Sequence, residues 1–353
     1  MKKNKRPSII PGIFGLSASQ LVWLTALLLS ATPLFAATNA IDIVGTTGLK
    51  VYDSGLNVDI EPILPIPLTN NLNPDKVELG ERLFKDRELS STRSYACETC
   101  HLFDKGATDQ TVLSPAINGE NRALNTPTLF NIGQMKLLTW SGKRTTLGNT
   151  AEAIIKSKKG LGTDWPTLLK VLEANPAYAS SFKAIYPDGI QIENVKDAMA
   201  EFMASLDTPN SRFDQYLRGD STALTKDEIS GYQLFKSYGC ASCHQGVNLG
   251  GNMMAPSGIF SNFVKERGNE TPADLGLFNK TGNLDDKYVF RVPTLRNIAI
   301  TQPYFHDGSS DSLDQAVDVM ARYMLGRNLS VEEITLIVKF LETLTGEYKG
   351  EAL

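Results

Sequence analysis

The sequence predicts a mainly α-helical protein built from two similar halves. Apolar residues recur at helical spacing in several long segments, whereas strand signals are few and short. One sequence pattern occurs twice along the chain, which indicates an internal duplication. With 353 residues, of which 42% are hydrophobic, the chain is long enough for two domains with separate cores.

Four helices are clear from their capping residues or their periodicity. Asn73 is placed to cap a helix that Pro74 opens. Further helices are predicted at 194–206, 312–325 and 330–346. Ser330 and Glu333 have the spacing of a capping box for the last of them.

Loops rich in Gly, Pro and Asn are expected between these helices, at 45–75, 104–128, 207–222 and 246–285. The third of these loops reads as a linker between the two halves. We therefore expect an N-terminal domain at 37–208 and a C-terminal domain at 209–353.

The first 36 residues have the pattern of a secretory signal peptide. Four basic residues at positions 2–6 precede an apolar run at 21–36 that is short for a membrane span and ends in small residues. We expect cleavage near Ala36, and an uncleaved anchor is the less favoured alternative. No later segment is apolar enough to cross a bilayer.

The charge of the chain argues against nucleic-acid binding. The formal net charge is -4, and removal of 1–36 would take away four positive charges and no negative ones. An acidic exported protein of this kind could attract a basic or dipolar protein partner.

Two short motifs contain all four cysteines and two of the three histidines. They are "ACETCH" at 96–101 and "CASCH" at 240–244. Structural disulfides do not require the adjacent histidine, a thioredoxin-like motif would not be expected twice, and Cys-Cys-His is a poor tetrahedral zinc set.

Covalent attachment of c-type haem accounts for every residue of both motifs. The two thiols add to the two vinyl groups of the porphyrin, and the next side chain supplies the proximal imidazole. The first site would use Cys97, Cys100 and His101, and the second would use Cys240, Cys243 and His244.

The duplication extends beyond the haem motifs. A Gly followed by Leu-Phe-Lys stands before each motif, and a "PTL.NI" core follows each, starting at Pro127 and Pro293. Thirteen residues after each Pro comes a large ring, Trp140 in the first copy and His306 in the second.

The two copies differ in their candidate for a sixth iron ligand. Met320 follows His306 on a predicted helix, and thioether is a common axial ligand that raises the reduction potential. The matching place in the first copy is Ile154, which cannot bind iron. Rivals to Met320 are Met324, Met253, Met254 and His306. Unequal sites of this kind are typical of an enzyme with one reacting and one electron-relaying centre.

These residues resemble the bacterial di-haem cytochrome c peroxidases and their relative MauG. The resemblance runs over about 79–346 and is strongest in "GCASCHQGVNLGG" and "YVFRVPTLRNIAITQPYFHDGS". It implies a mainly α fold of two cytochrome c-like haem domains related by internal duplication. The N-terminal haem would react with hydrogen peroxide, and the C-terminal haem would receive electrons from a small periplasmic cytochrome c or cupredoxin.

The resemblance also implies roles for individual residues. Met320 matches the sixth ligand of the C-terminal haem, and Trp140 matches a tryptophan between the two haems. Asn125, Thr301 and Pro303 match positions whose oxygens hold one calcium ion, a hard cation suited to carbonyl ligands. A periplasmic location and a homodimer are further expectations.

This chain departs from the family pattern at three distal positions. Ile117 stands where many relatives have a distal His, and Thr150 and Gly160 stand where they have Gln and Glu. Since Glu is the expected proton shuttle, Glu152 is the predicted replacement, with Glu120 as a second candidate.

Three functions therefore stay open. The leading hypothesis is an oxidoreductase that reduces peroxide. The second is MauG-like, peroxide-dependent oxidation of a Trp or Tyr in a partner protein. The third is a non-catalytic di-haem electron carrier, which would need a further ligand at the first haem, such as Met135.

Overall fold

A computed structural model describes residues 61–353 of the chain, and the predicted signal peptide lies outside them. These residues form a mainly helical fold. The helices are α1 Pro74–Lys85, α2 Leu147–Lys156, α3 Trp165–Glu173, α4 Pro176–Ile185, α5 Ile192–Ala204, α6 Arg212–Leu217, α7 Lys226–Ser237, α8 Phe263–Arg267, α9 Phe278–Thr281, α10 Leu313–Leu325 and α11 Val331–Glu342. Between residues 61 and 353 no helix is both long and apolar enough to span a membrane.

The four helices expected from the sequence are present. Asn73 caps α1 by accepting from two backbone amides, and Ser330 and Glu333 form the capping box of α11. The last helix ends at Glu342, four residues earlier than predicted. The expected loops at 207–222 and 246–285 are wrong in part, because they contain the short helices α6, α8 and α9.

Four short strands form two antiparallel pairs within the described residues. Strand β1, Met254–Pro256, pairs with β2, Val289–Arg291, and brings Met254 opposite Arg291. Strands β3, Glu347–Tyr348, and β4, Glu351–Ala352, form a hairpin at the end of the chain.

The first hydrophobic cluster is built around α1 and α5. Gly80 of α1 lies against the backbone of α5, since a Cβ there would stand 2.1 Å from the Ala198 carbonyl oxygen. The absence of a side chain allows the two helices to cross closely. The buried members of this cluster run from Leu79 to Leu206.

The second hydrophobic cluster is built around α7 and α11 in the same manner. A Cβ at Gly231 would stand 1.9 Å from the Leu336 carbonyl oxygen. The buried members include Ile63 and otherwise lie between Phe213 and Leu344. The two clusters do not follow the domain boundary expected between residues 208 and 209. Ile63 precedes that boundary but packs in the second cluster, and Tyr348 follows it but packs against the first.

Local backbone features recur at the spacing that separates Pro127 from Pro293. Asn131 and Asn297 both adopt left-handed backbone, with φ of 58° and 59°, and each precedes a short 3₁₀ helix. Isolated bridges join Leu138 to Arg144 and, at matching positions, Tyr304 to Ser310. These turns carry Trp140 and His306.

Candidate functional site

The N-terminal motif folds as a tight turn that presents its imidazole. Cys97–Thr99 is a 3₁₀ helix, and the Thr99 hydroxyl accepts from the Ala96 amide at 2.9 Å. His101 Nδ1 lies 3.0 Å from the Ala107 carbonyl oxygen. A proton on Nδ1 in that contact leaves the lone pair of Nε2 available to a metal.

The C-terminal motif has the same construction. Gly239, with φ 92°, leads into the 3₁₀ helix Cys240–Ser242. His244 Nδ1 lies 3.0 Å from the carbonyl oxygen of Leu249. Both predicted proximal histidines are therefore oriented by a backbone acceptor a few residues downstream, which leaves Nε2 of each to bind iron.

Burial keeps the donor groups of both motifs uncharged. It lowers the pKa of His101 to about 4 and lowers the pKa of His244 as well. It raises the pKa of Cys97 to about 12 and that of Cys240 to about 11. No disulfide joins any of the four cysteines, so each is available for thioether attachment to a porphyrin.

A cavity of about 480 Å³ lies beside the C-terminal motif. Cys240, Cys243, His244 and Met320 all border it. Most of the remaining wall is apolar, and includes Phe235, Leu295, Ile298, Val317, Ile337 and Leu341. A largely apolar cavity with thiol, imidazole and thioether donors fits the chemistry of a covalently held haem.

The N-terminal motif also carries an observation that fits such a group. The Arg122 Nε and Asp109 Oδ2 atoms are buried without a hydrogen-bond partner among the described residues. The positive charge of Arg122 lies close enough to lower the pKa of the Cys100 thiol and of the His101 imidazole. A buried Nε–H of Arg122 without an acceptor, beside the first motif, suits the carboxylate of a haem.

The structure brings Met320 to the cavity that His244 borders. Met320 lies on α10, whose buried face is formed by Ala316, Val317 and Ala321. Of the rivals, Met324 and His306 border the same cavity, whereas Met253 and Met254 are not among its lining residues. His306 already uses Nε2 in a contact with Asp274 at 2.7 Å. Met320 and Met324 both border the cavity, and the assignment of Met320 as the sixth ligand stays a prediction.

Trp140 belongs to the N-terminal half of the sequence but borders the same cavity as His244. Its indole Nε1 donates to the Asn125 carbonyl oxygen at 2.8 Å. Its ring meets the ring of His306 nearly edge to face, with centroids 6.3 Å apart. The two large rings at matching positions of the repeat are therefore in contact.

His306 belongs to a buried charge network that sequence reasoning missed. Asp274 accepts from His306, from the Thr271 amide and hydroxyl, and from Arg267 at 2.9 Å. Burial by itself raises the pKa of Asp274, but these hydrogen bonds outweigh it and lower the pKa to about 2. The Thr-x-x-Asp capping pattern at 271–274 was the available sequence signal.

Asp274, His306 and Asp307 are close enough to hold a cation, but Arg267 already compensates them. Its guanidinium pairs with Asp274 and also contacts the Asp307 carboxylate. A positive side chain among the ligand atoms argues against a metal at this cluster.

The three predicted calcium residues, Asn125, Thr301 and Pro303, all border this cavity. The Asn125 amide donates to the Thr111 and Val112 carbonyls at 2.9 and 3.3 Å, so its side-chain oxygen is available as an acceptor. Among residues 61–353, no hydrogen bond reaches the carbonyl oxygens of Thr301 or Pro303. These oxygen donors fit a hard cation.

Glu152 is engaged by three donors. It pairs with Lys156 at 2.7 Å and with Lys196 at 3.5 Å, and it accepts from the Trp165 indole at 3.2 Å. The Lys156 bond is the main reason that its pKa falls to about 2. Its role as a proton shuttle stays a prediction, and these contacts describe a carboxylate that ties α2 to α3 and α5. Glu120 is exposed and pairs with Lys159 at 2.8 Å.

The structure gives a local reason for one of the three distal departures, Gly160, and places the other two. The Thr150 hydroxyl bonds to the Thr146 carbonyl one turn earlier in α2. A Cβ at Gly160 would stand 2.1 Å from the Ile154 carbonyl oxygen, so a glutamate does not fit this backbone. Ile117 lies near Gly162. Met135, a candidate ligand under the electron-carrier alternative, packs against Gly251.

Sequence comparison relates the chain to known proteins over most of its length. The family model described as di-haem cytochrome c peroxidase matches residues 74–222. The cytochrome c551 peroxidase of Nitrosomonas europaea is 38% identical over 301 residues, covering 85% of this chain and 89% of that protein. The cytochrome c peroxidase Ccp of Escherichia coli is 39% identical over 289 residues. The match covers 82% of this chain and 62% of that protein.

Structural comparison agrees with the sequence matches. A MauG-like protein associated with microbial copper homeostasis superposes with a TM-score of 0.70 at 26% identity. The match covers 84% of this chain and 96% of that protein.

Proposed function

This chain belongs to the di-haem cytochrome c peroxidase family, and from that premise we propose that it is a periplasmic oxidoreductase that reduces hydrogen peroxide. The overall reaction takes one electron from each of two reduced donor molecules, together with two protons, and converts one peroxide into two waters. The observation that carries the proposal is the unequal pair of motifs: Met320 shares a cavity with His244, and the first motif has no equivalent methionine.

The haem is the group that supplies the redox chemistry. We propose that Cys97, Cys100 and His101 hold the reacting haem, and that Cys240, Cys243, His244 and Met320 hold the electron-accepting one. Backbone acceptors orient both imidazoles, and burial keeps them neutral, so they are prepared as ligands.

Trp140 is proposed as the side chain through which the two sites communicate. Its position at the cavity wall, its bond to Asn125 and its contact with His306 hold the indole in one orientation. The Asn125 carbonyl could also stabilise partial positive charge on the indole N–H during oxidation.

The remaining expectations complete the proposal. Asn125, Thr301 and Pro303 would hold one calcium ion next to this tryptophan, which would stiffen the region between the two motifs. The matching glycine contacts and left-handed asparagines support an origin by duplication. The sequence pattern at 1–36 supports export.

Steady-state kinetics test this function. The holoprotein is mixed with hydrogen peroxide and either a reduced small cytochrome c or a reduced cupredoxin, and donor oxidation is followed optically. We expect turnover with at least one donor class, with two donor molecules oxidised per peroxide. A haem-loaded protein that oxidises neither donor would remove the peroxidase assignment.

A MauG-like function is the second candidate, because the distal positions depart from the peroxidase pattern. Gly160 has no room for the family glutamate, and a MauG-like protein is among the structural neighbours. In this case the oxidising equivalents would modify a Trp or Tyr of a partner protein. Mass spectrometry of a co-expressed partner, with and without peroxide, would show added oxygen or a new crosslink only in the peroxide sample.

Electron paramagnetic resonance separates both enzymes from a simple electron carrier. The enzymes predict one high-spin ferric haem whose signal changes on addition of peroxide or cyanide. Two low-spin haems that respond to neither would favour the carrier, and would point to a further ligand such as Met135 at the first site.

A further inference from the structure

Arg291 is a buried cation without an acidic partner. Its residue surface is 3% exposed, and no ion pair involves it among residues 61–353. Its Nε donates to the Thr139 carbonyl at 2.9 Å, and Nη1 makes only a long contact of 3.4 Å with the Val292 carbonyl. A buried charge that is compensated only by carbonyl groups is costly, so an anion is expected beside it.

Arg296 shows how the same segment satisfies a guanidinium when the partner lies within the protein. Arg296 is also buried, and it pairs with Asp214 at 2.8 Å. It makes further bonds to the Val247 and Leu64 carbonyls. Arg291, five residues earlier, lacks a comparable carboxylate in the described part of the chain. The difference indicates that the partner of Arg291 is not a side chain.

The surroundings of Arg291 identify where its partner would lie. Arg291 borders the cavity that also contains Cys240, His244 and Met320. Burial lowers its pKa to about 10, so the side chain is still protonated at neutral pH. Its own backbone amide donates to the Trp140 carbonyl at 2.8 Å. One residue therefore contacts the tryptophan segment and faces the C-terminal cavity.

We propose that the Arg291 guanidinium binds a propionate carboxylate of the haem attached at Cys240 and Cys243. Arg291 is thereby a positioning residue, which holds that haem edge next to the Trp140 segment. A bidentate guanidinium–carboxylate contact gives this arrangement a defined geometry. The proposal rests on the proposed haem cofactor and goes beyond the proposed function.

A cation at the haem edge also affects the reduction potential. Positive charge disfavours the ferric state, which carries one more positive charge than the ferrous state. Arg291 should therefore raise the potential of the C-terminal haem and leave that of the N-terminal haem unchanged. This effect would add to that of the Met320 thioether.

Redox titration of the holoprotein tests the proposal without relying on turnover. We expect Arg291→Gln to shift the ferric-to-ferrous ratio of the C-terminal haem about tenfold at fixed potential, a decrease of about 59 mV. Arg291→Lys should retain most of the wild-type potential. Arg322→Gln is the matched control, because it removes the same charge from an exposed residue paired with Asp318. The N-terminal haem serves as an internal control.

Two results would overturn the inference. The first is a redox titration of Arg291→Gln in which the reduction potential of the C-terminal haem is unchanged, or in which the potentials of both haems shift equally. The other is a crystal structure of the wild-type holoprotein in which no propionate oxygen lies within hydrogen-bond distance of Arg291, which decides the matter even if the variants do not fold. A failed peroxide assay would refute the proposed function and leave these measurements interpretable.

Discussion

Asn131 and Asn297 donate to the same acceptor, the hydroxyl oxygen of Thr208, at 2.7 and 2.9 Å. All three residues are buried. The Thr208 amide in turn donates to Asn131 Oδ1 at 2.8 Å, and the Gly346 amide donates to Asn297 Oδ1 at 3.0 Å. Matching positions of the two halves are therefore joined through a single side chain.

Thr208→Val should destabilise the protein, because it leaves two buried amide donors without an acceptor while keeping the side-chain shape. We expect a loss of about 2 kcal/mol or more in the free energy of unfolding. Thermal unfolding of the holoprotein measures it. Thr335→Val, at an exposed position of α11 whose hydroxyl bonds to Val331, is the control and should change stability by at most about 0.5 kcal/mol. Equal effects of the two substitutions would contradict the shared-acceptor interpretation.

Gly231→Ala and Gly80→Ala should each destabilise one close helix crossing. The new methyl would stand 1.9 Å from the Leu336 oxygen in one case and 2.1 Å from the Ala198 oxygen in the other. Separation of the helices should cost about 1–3 kcal/mol. Calorimetry of the holoprotein measures the loss, with Ser230→Ala on α7 as the neighbouring control. Unchanged melting temperatures in both glycine variants would show that the crossings are looser than described.

Trp140→Phe should slow peroxide-dependent oxidation of the donor protein at least about tenfold with little change in haem content. The reason is the loss of the oxidisable indole at the cavity wall and of its bond to Asn125. Stopped-flow kinetics with a pre-reduced holoprotein provide the rate. Tyr186→Phe is the control, since Tyr186 bonds to Asp197 and does not border the cavity. If both variants slow turnover equally, Trp140 has no special role.

Met320→Leu should lower the reduction potential of the C-terminal haem and convert part of it to a high-spin form. Leucine preserves the apolar volume and removes the thioether that would bind iron. Met324→Leu is the appropriate control, because Met324 borders the same cavity on the same helix. Redox titration with electron paramagnetic resonance detects the change. A spectral change in the Met324 variant and none in the Met320 variant would reassign the ligand.

Asp274→Asn should reduce the acid sensitivity of the fold. Folding lowers the pKa of Asp274 to about 2, so its contribution to stability is present above its unfolded pKa of about 3.9 and is lost as pH falls toward 2. The change in pKa corresponds to about 2.6 kcal/mol. The variant starts from a lower stability at neutral pH. Its melting temperature should therefore fall less steeply than that of the wild type between about pH 6 and pH 2, the range over which the wild type loses the Asp274 contribution.

Asp318→Asn is the control for that experiment, because it removes a carboxylate from an exposed pair with Arg322. Its profile should follow that of the wild type. Parallel profiles for all three proteins would show that the buried network around Asp274 does not contribute to the pH dependence.

The spacing of the two Cys-x-x-Cys-His motifs and the positions of the main helices are already evident from the amino-acid sequence. Cys-x-x-Cys-His places thiols and imidazole within a single turn, so its function depends on local spacing. Capping at Asn73 and Ser330 is also local, and both caps are present in the structure. The contact between Trp140 and His306 was not foreseen, although both residues were singled out by the repeat.

Which distant polar groups compensate one another depends on the packing of the whole fold. Asp274 pairs with His306, and Thr208 joins Asn131 to Asn297, through contacts between residues far apart in the sequence. The Ile154 carbonyl leaves no room for a glutamate side chain at position 160. Arg291 is buried without a carboxylate partner among residues 61–353. Such relationships depend on how helices and loops pack in space, because burial and electrostatic compensation are properties of the whole fold and not of any short segment.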